Sequence, residues 1–261
     1  MSTAIFRGHT TPTSWRPIPE IGNWSLDHVF VATNTGKCWP CYGRGIYDEP
    51  AARIICEGTG NEEWVVEIAG EVTDRSCAGV DHEINGVCHC AANRLLLPVG
   101  VDVRKAPGNE IVIPVFGKYG LGLQDFVVRI KDSANRVNNR HPSAISDDAV
   151  EQAVQRVLHS KENECDILMD DIEDNLHVNI TDIQPALLQE MKSIYFVLYD
   201  KRTSSYENFK TGQLTPAQYR AEMRDNVSIA FHQVREVLGN DQYLSIIKVN
   251  PDIAAMALFG N

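Results

Sequence analysis

The sequence is short of basic residues and has no long hydrophobic run. Its 24 Lys and Arg residues are outnumbered by 35 Asp and Glu residues, which gives a formal net charge of −11. An acidic surface repels phosphate backbones, so we expect no broad electrostatic binding of nucleic acid. No stretch reaches the ~18 consecutive apolar residues typical of a membrane-spanning helix, so no membrane span is expected.

The chain also lacks an apparent export signal and a cysteine pattern typical of disulfide scaffolds. Its first residues, MSTAIFRGHTTPTSWRPIPE, contain no apolar core of signal-peptide length, which predicts a cytoplasmic location. An odd total of seven cysteines argues against a disulfide framework. Metal binding, catalysis and burial as small hydrophobes therefore remain as roles for the cysteines. They are Cys38, Cys41, Cys56, Cys77, Cys88, Cys90 and Cys165.

The amino-terminal half has the pattern of a small sheet. Residues 1–23 indicate an extended lead-in punctuated by proline. Four runs rich in Val, Ile and Phe predict strands. These are Asp27–Thr33, Glu63–Ala69, Glu110–Phe116 and Gln124–Ile130. A polar stretch, 131–145, is typical of a linker, so we predict an α+β domain over residues 1–140 and a helical domain over 141–261.

Helix signals are clearer. The run CHCAANRLLL predicts a helix from Cys88 to a point before Pro98. After the polar stretch, Ser146 is placed to cap a helix, and further helices are predicted over 165–176 and around 187–198. Thr215 and Gln218 form a capping box that predicts a helix ending at Gly239. The predicted fold class is α+β: a small, mainly antiparallel sheet with a packed catalytic helix, followed by a helical bundle.

Cys88 is the candidate nucleophile because it begins a predicted helix. The helix dipole and the backbone N–H groups of the first turn favour the thiolate and lower the thiol pKa. The same N–H groups are suited to stabilising an oxyanion. A small buried hydrophobe is the alternative role for Cys88.

A thiol enzyme also needs a base, and four histidines are candidates. His89 follows Cys88 at about 100° around the helix axis, so we expect its ring to point elsewhere. His82 lies in a predicted loop six residues upstream and His141 in the polar stretch. His28 begins a predicted strand that can hold an imidazole rigidly, although a solvated strand-end histidine is the equal alternative.

Two segments, DHVFVATNTGKCWPCYGR and NGVCHCAANRLLL, resemble circularly permuted papain-like or NlpC-like proteins, a superfamily that includes lecithin:retinol acyltransferase-like proteins. In that permuted order a histidine on an early strand precedes a cysteine at a helix start. The resemblance covers roughly residues 25–130 and implies a catalytic pair of His28 and Cys88. It also implies a third polar group that orients the histidine, for which Asp27, His82 and Glu83 are open candidates.

Two motifs allow other hypotheses. Cys38, Cys41, Cys88 and Cys90 could together supply four zinc ligands, although a Cys-x-Cys pair on a helix strains tetrahedral geometry. Thiol–disulfide exchange at Cys38 and Cys41 is disfavoured because Gly43 follows where a helix would have to start.

The predicted function is a cysteine-nucleophile hydrolase or acyltransferase that acts on an amide, isopeptide or (thio)ester bond. Cys88 is the predicted nucleophile and His28 the predicted base, with His82 as the other candidate base. The expected substrate is a peptide, a protein or a small acyl compound. The sequence has no glycine loop of nucleotide-binding type, so no cofactor is expected. The alternative is a non-catalytic binding protein, stabilised by zinc, with a helical interaction module.

Overall fold

The structure is a computed structural model that describes residues 3–11, 28–40, 52–161, 163–180 and 183–260. The predicted fold class is confirmed, since a small antiparallel sheet and a packed helix are followed by a series of helices. The strands are β1 Thr3–Thr11, β2 His28–Thr33, β3 Cys38–Trp39, β4 Arg53–Asn61, β5 Ser76–Cys77 and β6 Val80–Asp81. The helices are α1 Glu62–Ala69, α2 Cys88–Leu96, α3 Asn109–Phe116, α4 Leu123–Arg140, α5 Asp147–Leu158, α6 Glu164–Asn179, α7 Pro185–Lys210, α8 Pro216–Leu238, α9 Asn240–Ile247 and α10 Pro251–Phe259, with a 3-10 helix at Leu97–Val99.

The chain divides into two compact units. Unit 1 holds the described residues within 1–13, 27–107 and 118–164, and unit 2 holds those within 108–117 and 165–261. Unit 1 therefore contains the strands with α1, α2, α4 and α5, whereas unit 2 contains α3 and α6 to α10. These units are defined by contacts, whereas the predicted domains, 1–140 and 141–261, are parts expected to fold independently. The division into those domains stays a prediction.

The main sheet of unit 1 is antiparallel, and its described strands lie in the order β3-β2-β1-β4. Gly8 of β1 pairs with Val31 of β2. A Cβ built on Gly8 would lie 2.5 Å from Cys56 Sγ and 3.3 Å from Leu96 Cδ1 of α2. Glycine at this position therefore permits the close approach of neighbouring side chains. The sheet face of Gly8 and Val31 is the one against which α2 packs.

Segment 3–11 is a central strand, although the sequence predicted only an extended lead-in over 1–23. Ala4, Phe6, Gly8 and Thr10 are buried, and they alternate with more exposed residues. Strand β1 pairs with both β2 and β4. Residues 12–27, which include the first residue of the predicted strand Asp27–Thr33, lie outside the described residues.

Three predicted strands are wrong, because Glu63–Ala69, Glu110–Phe116 and Gln124–Ile130 form the helices α1, α3 and the start of α4. Short apolar runs do not distinguish a strand from a buried helix. In α1 the Asn61 side chain accepts a hydrogen bond from Trp64 N (3.1 Å) and so starts the helix. In α3 every residue is buried, and packing on all sides overrides the β preference of its Val and Ile residues.

The predicted linker over 131–145 is also wrong for most of its length. Helix α4 continues to Arg140, and Ser133, Ala134 and Val137 are buried along one side of it. The other side of the same segment carries its polar residues to the surface, which explains why the composition suggested a linker. A short connection at 141–146 then leads to Ser146, whose side chain caps α5 by accepting a hydrogen bond from Ala149 N.

In unit 2, α8 packs against α7 and α10. The capping box of Thr215 and Gln218 is present, and Pro216 is the first helical residue, as predicted. The predicted apolar stripe of α8 is buried throughout. It consists of Tyr219, Met223, Val227, Ala230, Val234 and Leu238. Among the described residues, no helix has the length and apolar character needed to cross a membrane.

Candidate active site

Helix α2 is buried along its whole length. It begins at Cys88, as predicted, and all nine of its residues are buried. Val87 precedes it in extended conformation and provides no side-chain cap. A Cβ on Gly86 would lie 2.7 Å from Val80 Cγ1 and 3.0 Å from Cys90 Cβ. The chain therefore enters the helix through a tight passage that only glycine fits.

The polar side chains of α2 hold the surrounding loops in place. Arg94, of which 2% is exposed, donates hydrogen bonds of 2.6–3.2 Å to four backbone carbonyl oxygens. These oxygens belong to Ala78, Gly79, Tyr119 and Leu121. The guanidinium carbon lies 4.5 Å from the ring centroid of Phe126. A buried charge is tolerated only when it is well partnered, and these partners meet that condition.

Asn93 makes a second set of loop contacts. Its amide nitrogen donates to Lys118 O (2.9 Å), and its amide oxygen accepts from Val103 N (2.8 Å). Together, Asn93 and Arg94 link α2 to the segments at 78–79, 103 and 118–121. These contacts tie the carboxyl-terminal half of α2 to the surrounding loops.

Cys88 and His89 are in contact at the start of α2. Cys88 Sγ lies 3.6 Å from His89 Nδ1, a hydrogen-bond distance for sulfur, and His89 Nε2 lies 3.1 Å from Pro107 O. The expectation that the ring of His89 points away from Cys88 is wrong. Nδ1 is the ring nitrogen nearer the backbone, so it can reach the preceding side chain although the two residues are about 100° apart around the helix.

The contact with Pro107 sets the tautomer of His89. A carbonyl oxygen can only accept, so Nε2 carries the proton and donates it to Pro107 O. In the neutral ring Nδ1 then bears a lone pair directed at the Cys88 thiol. In the imidazolium form both nitrogens donate, and Nδ1–H can stabilise a thiolate. The geometry therefore suits both protonation states of a cysteine–histidine pair.

His82 lies close to the start of the helix along the chain. It forms an isolated bridge with Gly86, two residues before Cys88, and its Nδ1 lies 3.7 Å from Glu83 Oε1. Burial, together with the positive charges of Arg75 and His28, lowers the pKa of His82 to about 4. His82 is therefore neutral at physiological pH.

His28, the predicted base, begins β2. Its ring stacks with that of Phe30 at a centroid distance of 6.2 Å, and Phe30 stacks with His9 at 4.8 Å. These three rings share one face of the sheet, whereas Val29 and Val31 point to the face covered by α2. The structure places His28 within electrostatic range of His82. Its role as the base stays a prediction.

Of the three candidates for a third catalytic group, His82 and Glu83 lie side by side. Asp27 lies outside the described residues. Glu83 accepts a hydrogen bond from Arg75 Nη2 (3.1 Å) and lies beside His82. Glu83 is thus placed to orient His82, whereas Pro107 O holds the ring of His89.

Of the four cysteines of the zinc hypothesis, the structure describes Cys38, Cys88 and Cys90. Cys38 pairs with Ala32, while its neighbour Trp39 is buried and stacks with Phe6 on the face covered by α2. By strand alternation Cys38 points to the opposite face. Cys41 lies outside the described residues. Within the described ranges, no group of three or more His, Cys, Asp or Glu side chains is arranged to hold a metal ion.

Comparisons with protein-family models, with curated proteins and with solved structures found no match to this chain. The resemblance to permuted papain-like proteins therefore stays a prediction. Asn93 and Arg94, which link α2 to the loops around it, were missed by the sequence analysis. The signal available for them was the presence of two polar residues between Ala91-Ala92 and Leu95-Leu96.

Proposed function

We propose that the protein is a cysteine–histidine enzyme that hydrolyses or transfers an acyl group from an amide, isopeptide or (thio)ester. The observation that supports this most is the Cys88 Sγ–His89 Nδ1 distance of 3.6 Å, with His89 Nε2 held by Pro107 O. A nucleophile, a base in contact with it and a group that orients the base are the components of covalent acyl transfer.

The proposed reaction has two halves. In the first, Nδ1 of His89 takes the thiol proton, Cys88 Sγ bonds to the acyl carbon, and the imidazolium returns the proton to the leaving amine, alcohol or thiol. In the second, water or an acceptor gives its proton to Nδ1 and attacks the thioester carbon. The acyl group leaves as a carboxylic acid or a new acyl product, and Cys88 regains its proton.

The surroundings of Cys88 support this chemistry. Cys88 lies at the amino-terminal end of α2, where the helix dipole favours negative charge, so we place the oxyanion of the intermediate there. Only 6% of Cys88 and 1% of His89 are exposed. We therefore expect a peptide, protein or small acyl substrate that presents its carbonyl on an extended group. We also propose a cytoplasmic location, where the thiol stays reduced.

Acyl-enzyme formation tests the proposal. The purified protein is incubated with a small activated thioester, and intact-mass and peptide spectra are recorded. We expect one acyl group on Cys88, its absence from the Cys88→Ser variant and its retention in Cys165→Ser. Cys165 is the matched control because its exposed fraction is also 6%. Acylation of Cys165 and Cys88 at equal rates would contradict the proposal.

A further inference from the structure

Unit 1 contains a cavity of about 280 Å³ at the other end of α2 from Cys88. It lies where the 3-10 helix ends, next to Gly100 and Asp102, and α5 contributes Arg156 to its wall. Its volume is just below the range of ~300–1,000 Å³ that is usual for ligand pockets. The cavity is separate from the candidate active site.

The described lining of the cavity is positively charged. Arg104, Lys118 and Arg156 contribute three positive charges and Asp102 one negative charge, and His159 also lines the wall. The local balance is therefore +2 with histidine neutral, in a chain whose formal net charge is −11. A cavity whose lining carries a net positive charge attracts anions.

Two of the cavity's cations, Arg104 and Lys118, bind the carboxylate of Asp102. Arg104 donates from Nε and Nη2 to the two oxygens of Asp102, both at 2.8 Å, and Lys118 Nζ lies 2.6 Å from Asp102 Oδ2. Such forked, charge-assisted contacts are typical of carboxylate and phosphate recognition. Burial by itself would raise the pKa of Asp102, but the contacts with Arg104 and Lys118 lower it well below its usual range.

Arg156 is the third cation, and the chain makes room for it. Its Nη1 donates to Leu97 O at 3.1 Å, which fixes the guanidinium at the cavity wall. Gly100 has a φ of +79°, and a Cβ there would lie 3.1 Å from both Nη1 and Nη2 of Arg156. Glycine thus satisfies the left-handed backbone and leaves space for the guanidinium.

We propose that this cavity binds a small anionic ligand through a phosphate or carboxylate group, with Arg156 and Lys118 as its main contacts. The proposal does not depend on the proposed catalytic function. The Asp102 carboxylate competes with the ligand for Lys118 and so limits the affinity for the ligand. Removing the charge of Asp102 therefore tests the proposal. Cavity size restricts the ligand to a small molecule or to one end of a larger one.

Phosphate and acetate serve as probes in a titration of thermal unfolding at constant ionic strength, because a ligand that binds only the folded state raises the melting temperature. We expect at least one of the two anions to raise it more than chloride does. Arg156→Gln should weaken the apparent affinity about tenfold, whereas Arg156→Lys should retain most of it. Arg140→Gln is the control, since Arg140 is an exposed helical arginine paired with Glu67.

Asp102→Asn should change the affinity for the anion in the direction opposite to Arg156→Gln. It removes the competing carboxylate, so we expect tighter binding of the probe anion even if the variant is less stable without ligand. A merely structural role for these residues would lower stability in every variant and leave the anion effect unchanged. Equal responses of wild type, Arg156→Gln and Asp102→Asn to the anions, or no response beyond that to chloride, would overturn the proposal.

Discussion

Helices α2 and α8 are buried in different ways. Helix α2 is buried on all sides and includes His89, Asn93 and Arg94, whose polar atoms bind the backbone of neighbouring loops. Helix α8 is more than twice as long, with 23 residues against nine, and is buried along a single apolar stripe. Polar groups are costly to bury unless they are partnered.

The two helices are therefore stabilised by different kinds of contact. The residues of α8 are explained by local helix signals and by packing against α7 and α10. The buried polar residues of α2 are explained by the loops around them, because their backbone partners lie 10 to 27 residues away in sequence. A short helix that carries so much polar chemistry in a buried position is typical of a site that has to be rigid.

The largest expected effect is that of Arg94→Leu. The four carbonyl oxygens bound by Arg94 would lose their donors, so we expect the free energy of unfolding to fall by on the order of 4 kcal/mol. Arg136→Gln is the control, because Arg136 makes an exposed ion pair with Glu67 worth less than about 1 kcal/mol. Urea denaturation measures both, and equal losses would show that α2 is not held through Arg94.

The stripe of α8 is tested by a pair of substitutions two residues apart. Val227 is fully buried, whereas 49% of Ile229 is exposed. Val227→Asp would bury a charge and should cost about 3 kcal/mol, while Ile229→Asp should cost less than about 0.5 kcal/mol. Denaturation curves of the two variants would contradict this assignment of faces if their midpoints were alike.

His82 should make stability depend on pH near the candidate site. Its pKa is about 4 in the folded protein and 6.5 in the unfolded chain, so the unfolded state takes up the proton first as the pH falls. Stability is therefore retained above pH 6.5 and lost progressively down to about pH 4, by up to about 3 kcal/mol.

The measurement is the free energy of unfolding across this pH range for wild type and for His82→Gln. We expect a flatter curve for the variant. His177→Gln is the control, because more than half of the His177 side chain is exposed. A His82→Gln curve as steep as that of the wild type would show that another group titrates.

Local signals predicted α8 and the start of α2 correctly. The capping box with Pro216 lies at the start of α8, and Gly86 lies two residues before α2. Both signals act within a few residues of the helix whose start they indicate. The failures concern long-range packing. Residues 110–116 were predicted as a strand from their β-branched composition, but enclosure on every side makes them a helix.

Part of the geometry around Cys88 was predicted, and the site itself stays a prediction. Cys88 at a helix start follows from the sequence, whereas the contact of His89 with it depends on Pro107, 18 residues further along the chain. Helical periodicity alone predicted that the His89 ring points away from Cys88. Periodicity gives the directions of the Cβ atoms and not the positions of the ring nitrogens. The face of the sheet on which His28 lies depends on its pairing with β1, for which residues 1–23 gave no strand signal.

The central claim is that Cys88 is activated by His89, and the rate of alkylation measures this most directly. Wild type, His89→Gln, His28→Ala and His82→Ala are treated with iodoacetamide at pH 5 to 9, and labelled peptides are identified by mass spectrometry. Glutamine is chosen because its amide can still donate to Pro107 O although it offers no base to the thiol. Cys165 is the internal reference, since both cysteine residues are 6% exposed and burial raises the pKa of the Cys165 thiol.

We expect Cys88 to be labelled well ahead of Cys165 at pH 7, with the rate lowered at least about tenfold by His89→Gln and little changed by the other two variants. Loss of fast labelling with His28→Ala or His82→Ala, but not with His89→Gln, would assign the base to that histidine instead. Labelling of Cys88 no faster than that of Cys165 at any pH would contradict the account.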